Sequence, residues 1–236
     1  MLTLRFSAFY PALCSLILLS SVPPLRSQHI DYRQEFGESY SEAMSYLLEN
    51  TWMMDTIARH GRDPAFVLAI VFPELIRYAQ LRDRIEMLAL STLYVQYGDK
   101  YADFSVGRFQ MKPSFARQIE EDCPEVFRKR LGIAGQDPVS DRRERLDRLR
   151  KPESQLRYLL CFCEIMDQRF KEYIWPHEEA RLQVYATAYH FGYNKDIEDI
   201  TKAVSQHWYH LSPGIAQRKY PYPEVSLYFF RRINKH

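Results

Sequence analysis

The stretch AFVLAIVF, Ala65 to Phe72, is apolar at every position and follows Asp63-Pro64, a typical helix cap with a first-turn proline. A helix that is apolar on all sides belongs in the middle of a protein core. Elsewhere apolar residues mostly recur at helical spacing, and only 8 of the 236 residues are glycine. These patterns predict an all-α fold in which the helix at Ala65 lies in the core.

Further helix signals follow one another along the chain. The predicted helices span residues 38–60, 81–97, 122–131, 141–151, 154–174 and 176–190, and another begins near Pro113. The tail from Leu211 to His236 is rich in proline and tyrosine, so we expect it to wrap the surface and to end in a short helix. The basic run DRRERLDRLRK at 141–151 also contains acids, which favours a solvated helix face with internal ion pairs over a nucleic-acid site.

The N-terminus has the layout of a secretory signal, with an early arginine, an apolar run at 6–22 and then two prolines. We expect residues 1–27 to be this signal and residues 28–236 to form a single domain in the periplasm or outside the cell. An uncleaved anchor in the inner membrane is the alternative. Removal of Arg5 and Arg26 leaves 30 basic and 30 acidic residues, so net charge gives no reason to bind nucleic acid.

Three cysteines follow the predicted signal: Cys123, Cys161 and Cys163. An odd number cannot pair completely within one chain. Cys161 and Cys163 are two apart in a helical pattern and face different sides. Burial as small apolar residues is the favoured interpretation, while one disulfide from Cys123 stays open for an exported protein.

Glu74 is the first candidate for chemistry, because it follows the apolar helix directly in VFPELIRY at 71–78. A carboxyl group in a poorly solvated position tends to keep its proton near neutral pH, which suits a general acid. The alternative is an ordinary, exposed glutamate at a helix kink made by Pro73.

Two later stretches combine aromatic and amide groups, a mixture common in sugar-binding sites. In SVGRFQMKPSF at 105–115, Gly107 permits unusual backbone geometry and Gln110 offers a donor and an acceptor without charge. In YATAYHFGYN at 185–194, polar and aromatic side chains cluster at a helix end. The alternatives are a helix-capping turn and a core helix that ends at Gly192. The candidate binding residues are Ser105, Gly107, Phe109, Gln110, Met111, Tyr189, His190 and Asn194.

The order of these three stretches resembles that of the soluble lytic transglycosylases, a family of the lysozyme-like superfamily. That family has a Glu-Ser pair, then Gly-Leu-Met-Gln leading into Met-Pro, then Ala-Tyr-Asn-Ala-Gly. Glu74 matches the acid, the segment Gly107 to Pro113 matches the second motif, and the segment Ala188 to Gly192 matches the third. The resemblance covers roughly residues 64–194. It departs from the family at Leu75, which stands in place of the serine.

The resemblance implies a lysozyme-like helical domain that cuts the bond between N-acetylmuramic acid and N-acetylglucosamine in peptidoglycan. The product would carry a 1,6-anhydro-muramic end, with Glu74 as acid and base. Phe109, Gln110 and Met111 would line the groove, and Tyr189 would position the sugar or the acid. It implies a monomer without cofactor or metal, with glycan strands as its partner and envelope proteins as further candidates.

Two alternatives keep the fold and change the function. A hydrolytic muramidase would need a second carboxylate to activate water, for which Asp99 and Asp103 are available. A non-catalytic binding or scaffold protein of the cell envelope would keep Glu74 as a structural residue. His190 and Phe191, which replace asparagine and alanine of the third motif, favour this last alternative.

Overall fold

The apolar helix predicted at Ala65 is buried in the core of the structure, a computed structural model that describes residues 30–80, 85–130, 138–206, 208–210 and 219–234. Its helices are α1 (Tyr32–Phe36), α2 (Glu38–Glu49), α3 (Trp52–Arg59), α4 (Pro64–Gln80), α5 (Ile85–Tyr97), α6 (Pro113–Asp122), α7 (Glu125–Arg130), α8 (Pro138–Leu149), α9 (Pro152–Arg169), α10 (Glu178–Phe191), α11 (Ile197–Gln206) and α12 (Tyr222–Ile233). The two strands in this part of the chain, β1 (Trp208–His210) and β2 (Lys219–Pro221), form one short antiparallel pair. The predicted all-α class is confirmed.

Helix α4 begins as its sequence predicts. The Asp63 carboxylate accepts a hydrogen bond of 2.9 Å from the backbone N–H of Ala65, and Pro64 occupies the first turn. Every residue from Ala65 to Phe72 is buried. Helices α2, α10 and α12 all pack against α4, which explains why this helix has no polar face in its first half.

Of the C-terminal tail predicted to wrap the surface, residues 219–234 are described and differ from that prediction, while 211–218 lie outside the described residues. Helix α12 packs on α4 and α10, and the Phe229 ring stacks on Phe72 with 4.1 Å between ring centroids. At the start of α12 the Tyr222 hydroxyl donates a hydrogen bond of 2.9 Å to the carbonyl of Ile70. Apolar residues recur at helical spacing in this tail, and that pattern outweighs its proline content. The predicted short terminal helix is confirmed, but it is part of the core.

The single helix predicted over 38–60 is two helices, because the chain breaks after Glu49. The Asn50 side chain donates to the carbonyl of Tyr46 at 2.8 Å and accepts from the Trp52 indole at 3.0 Å. An asparagine that bonds to nearby backbone competes with the helical hydrogen bonds and favours a break. The prediction overlooked this local alternative.

Residues 31–236 form one compact unit. The signal predicted for residues 1–27 lies outside the described residues. Within the described ranges, none of the helices combines the length and the apolar character that crossing a membrane requires.

Candidate functional site

Glu74 lies on α4 directly after Pro73 and is 3% exposed, so the alternative of an exposed glutamate at a kink is wrong. Its Oε1 lies 3.2 Å from His190 Nδ1, at the end of α10. Its Oε2 lies 3.6 Å from Arg77 Nη1, one turn further along α4, and has no hydrogen-bond partner among the described side chains. The carboxyl group is therefore buried, close to two basic groups and only partly hydrogen-bonded.

The His190 ring is held on its other side by an aromatic contact. It stacks on Tyr222 with 4.5 Å between centroids and an angle of 18° between the ring planes. Tyr222 is itself anchored by its bond to the Ile70 carbonyl, on the turn of α4 that precedes Glu74. Helix α12 thus supports the contact between His190 and the acid, a role that the sequence-based interpretation of the tail missed.

The stretch at 105–115 forms a tight turn closed by Val106 and Met111, whose backbones exchange hydrogen bonds of 2.9 and 3.2 Å. Gly107 and Gln110 have positive φ angles of 69° and 50°. The buried Gln155 of α9 donates to the Val106 carbonyl at 2.7 Å and accepts from the Phe109 N–H at 3.1 Å. A Cβ atom at residue 107 would lie 2.2 Å from the Gln155 amide nitrogen, so only glycine fits there.

Phe109 and Met111 are 0% and 1% exposed, which places their side chains in the core. They support the turn from behind and present no surface of their own. Gln110 is 9% exposed; its Nε2 donates to the Gly107 carbonyl at 2.9 Å, and its Oε1 has no hydrogen-bond partner among the described side chains. Gln110 therefore carries a buried acceptor without a hydrogen-bond partner among the described side chains.

Tyr189 connects this turn to the acid. Its hydroxyl donates a hydrogen bond of 2.7 Å to the carbonyl of Phe109, next to Gln110. Burial, and then the charge of Glu74, raise the pKa of Tyr189 well above its ordinary value, so the hydroxyl stays protonated and keeps donating. The structure thus brings Glu74, Tyr189, His190 and the turn at Gln110 together.

Two predicted residues stand apart from this group. Ser105 is half-buried just before the turn, and Asn194 is exposed beyond the end of α10. Neither makes a hydrogen bond with the other candidate residues in the described part of the chain.

Arg108, inside the turn, is a site residue that the prediction missed. Its guanidinium carbon lies 4.7 Å from the ring centroid of Tyr46 and 4.4 Å from that of Tyr78. Both distances are within the range of cation–π interaction. Burial raises the pKa of Tyr46 to about 12, an effect that Arg108 reduces, and the Tyr46 hydroxyl also lacks a hydrogen-bond partner among the described residues.

The position of these arginines gives the site its electrostatic character. Arg77 and Tyr78 lie three and four positions after Glu74, so helical spacing could have placed them near the acid. Arg108 could not be placed in this way, because its partner Tyr46 lies on α2, far from Arg108 in the sequence. Arg77 and His190 both contact Glu74, whereas Arg108 has no carboxylate within ion-pair distance in the described chain.

The two carboxylates considered for water activation have other partners. Asp103 accepts from the backbone N–H and the hydroxyl of Ser114 at 3.0 and 2.8 Å, and so caps α6. Asp99 binds Arg117, with 2.9 Å to both Nε and Nη2. Both contacts are typical of structural roles.

A cavity of about 340 Å³ lies at the other end of α4, away from Glu74. It is lined by charged groups that bind one another: Arg62 contacts Glu164 and Asp167, and Arg181 also contacts Asp167. Although burial pushes the pKa of Asp167 upward, the Tyr185 hydroxyl and the two arginines lower it overall. The described residues contain no group of three His, Cys, Asp or Glu side chains that could hold a metal ion.

No protein-family model, no curated protein and no solved structure matches this chain.

Proposed function

We propose that this chain is a peptidoglycan lytic transglycosylase in which Glu74 is the general acid and base. The observation that carries the proposal is the buried Glu74 Oε2, which lacks a hydrogen-bond partner among the described side chains. A buried polar atom without a partner costs free energy, and such atoms in folded proteins call for an explanation. A substrate oxygen that bonds to Oε2 would satisfy this atom.

The other orphan acceptor of the site supports a sugar ligand. Gln110 Oε1 is buried and has no partner among the described side chains, and it belongs to the turn that Tyr189 ties to α10. A hydroxyl or an acetamido N–H of an amino sugar would donate to this oxygen. The site therefore offers one acidic group and one neutral acceptor.

The basic groups support a glycan that carries a carboxylate. Arg108 is held by two tyrosine rings and keeps its N–H donors available, and Arg77 is 32% exposed next to Glu74. In peptidoglycan the lactyl group of N-acetylmuramic acid carries a stem peptide through an amide bond, and guanidinium groups bind the carboxylates of that peptide through charge-assisted hydrogen bonds. N-acetylglucosamine lacks this group, so the arginines would distinguish the two sugars.

In the proposed reaction Glu74 gives its proton to the oxygen that leaves C1 of the muramic sugar. The 6-hydroxyl of the same sugar then attacks C1, and the Glu74 carboxylate accepts the hydroxyl proton. The bond from C1 to the leaving oxygen breaks and the bond from C1 to O6 forms, so the product is a 1,6-anhydro ring. One carboxyl group is sufficient, because the substrate supplies the nucleophile.

His190 and Tyr189 act as positioning residues in this proposal. The contact between His190 Nδ1 and Glu74 Oε1 orients the carboxyl group so that Oε2 is the oxygen left for the substrate. Tyr189 holds the turn that carries Gln110 at the level of the acid. We further propose that the protein acts as a monomer outside the inner membrane, where its glycan substrate lies.

A second candidate function, a non-catalytic peptidoglycan-binding protein, is favoured by the two basic partners of Glu74. Arg77 and His190 both contact the carboxyl group, as they would in a structural polar cluster. In that role Glu74 would hold α4 against the end of α10 and would take no part in a reaction. Hydrolysis has less support, because Asp99 and Asp103 both have structural partners.

The decisive experiment is mass spectrometry of fragments released from purified peptidoglycan by the protein and by its Glu74→Gln variant. We expect anhydro-muramic ends from the unchanged protein, and a loss of activity of about 100-fold or more in the variant, the usual contribution of a general acid. Glu49→Gln, an exposed position on α2, is the matched control and should keep full activity. Fragments heavier by one water would indicate a hydrolase instead, and binding without cleavage by either folded protein would favour the second candidate.

A further inference from the structure

Two of the three described cysteines meet in the core. The Sγ atoms of Cys123 and Cys161 are 2.7 Å apart, and both residues are buried. This separation is shorter than the ~3.5–4.0 Å at which even carbon atoms make their best contact. It approaches the ~2.05 Å of a covalent S–S bond. The two sulfur atoms thus face each other where the end of α6 packs on α9.

We infer that Cys123 and Cys161 form a disulfide bond in the mature protein, and that Cys163 stays a free thiol. Cys123 is the C-cap residue that directly follows α6, and Cys161 lies in the middle of α9. The bond would therefore join two elements that are 38 positions apart in the sequence. Cys163 lies two residues further along α9 and is buried near Arg62 and Asp167.

The bond forms by exchange with a protein or small-molecule disulfide. One cysteine thiolate attacks a sulfur of that disulfide and gives a mixed disulfide; the second cysteine thiolate then attacks the mixed disulfide. The bond between the two cysteine sulfurs forms, and the partner leaves as two thiols that carry the two electrons and two protons. Such oxidants act in the compartments that exported proteins enter, which agrees with the predicted N-terminal signal.

Burial determines when the exchange can happen. The hydrogen bond with Cys123, and then burial, raise the pKa of Cys161, and burial raises that of Cys163 to about 12. Only thiolates react in the exchange, so these thiols react slowly once the core is closed. The bond therefore forms during folding, and native protein resists reductants that reduce it readily after unfolding.

The test is to unfold the reduced mature chain, residues 28–236, in urea, refold it with oxidised and reduced glutathione, alkylate it without reductant and map the peptides. We expect a product lighter by two hydrogen atoms, with Cys123 linked to Cys161 and an alkylated Cys163. Because Cys161 and Cys163 share one tryptic peptide, the matched variants assign the link: Cys163→Ala keeps it and Cys161→Ala loses it.

A thermal measurement gives a second readout. The closed loop should raise the unfolding temperature of the oxidised protein by roughly 8–16 °C over the reduced one. Three alkylated thiols in the refolded protein, or a link that involves Cys163, would overturn the inference. Where a variant fails to fold, fragmentation of the linked peptide from the unchanged protein shows whether Cys161 or Cys163 carries the alkyl group and so decides between these outcomes. Neither outcome bears on the role of Glu74.

Discussion

Glu74 and Glu120 are buried to nearly the same degree, 3% and 6% exposed, but their surroundings are opposite. Glu120 Oε2 accepts from Arg145 at 2.9 Å, and its Oε1 accepts from Arg148 at 2.9 Å and also from the Tyr158 hydroxyl. Glu74 has His190 on one oxygen and no hydrogen bond on the other among the described side chains. Both residues are buried, so burial does not distinguish them. The number of hydrogen bonds that each carboxyl group makes is what distinguishes them.

The difference indicates which buried acid belongs to the architecture. A buried carboxylate that is fully hydrogen-bonded holds elements together, and here Glu120 joins α6, α8 and α9. A buried acid with an oxygen that lacks a hydrogen bond destabilises the folded protein, and a ligand that donates this bond removes the cost. Each of the following predictions tests one side of this comparison.

The largest effect on stability should come from Glu120→Gln. This change removes the negative charge that balances the buried Arg145 and the half-buried Arg148, and a buried charge without its partner is strongly unfavourable. We expect the free energy of unfolding to fall by about 3–5 kcal/mol, measured by urea denaturation. Activity per folded molecule should be unchanged. A loss below 1 kcal/mol would show that the Glu120 network contributes as little as a surface ion pair.

A smaller effect should follow from Gly107→Ala, which tests what holds the turn beside Glu74. The new methyl group meets a positive φ of 69° and also the Gln155 amide, 2.2 Å from its ideal position. Together the strained backbone and the overpacking should cost about 2–4 kcal/mol. The matched control is Gly61→Ala, where φ is 72° and no atom lies within 4 Å of the added Cβ.

The control should lose only about 1 kcal/mol, because it carries the backbone strain without the clash. The difference between the two variants in urea denaturation then measures how tightly Gln155 and the Leu149 carbonyl, 2.6 Å from the added Cβ, hold the turn. Gly107→Ala should also reduce glycan cleavage, since Gln155 must move and Gln110 moves with the turn. Equal losses of stability in both variants would mean that the turn is loosely held and that Gln155 does not position Gln110.

The central helix and the approximate placement of the acid could be predicted from local sequence. Eight consecutive apolar residues shortly before Glu74 indicate a buried helix with a carboxylate just beyond its apolar stretch, and this prediction needs no distant contact. The sequence also predicts the start of α6 from Pro113 and the end of α10 from Gly192, because proline and glycine restrict or free their own backbone. These signals lie within a few residues of the feature that they predict.

The rest depends on contacts between distant residues. The pairs Arg148–Glu144 and Arg150–Asp147 of the basic run confirm the predicted internal ion pairs, at 3.4 and 3.1 Å. The same run also contributes Arg145, which is 5% exposed and bound to Glu120, and no periodicity identifies that partner 25 positions away. The contacts of Arg108 with Tyr46 and of Gln155 with the turn also join residues that are far apart in the sequence, so local patterns do not predict them.

The smallest effect on stability should come from Glu74→Gln, and it is the sharpest test of the comparison. The variant keeps the shape of the side chain, and the contacts that it weakens are the single hydrogen bond with His190 and the 3.6 Å contact with Arg77. One hydrogen bond contributes a net of about 1 kcal/mol, so the free energy of unfolding should change by no more than about that amount. Urea denaturation beside Glu120→Gln, the same chemical change at the same burial, provides the scale. If Glu74→Gln instead lost as much stability as Glu120→Gln, its contacts with Arg77 and His190 would be structural. The acid would then belong to the architecture, and a loss of cleavage in this variant could no longer be attributed to chemistry.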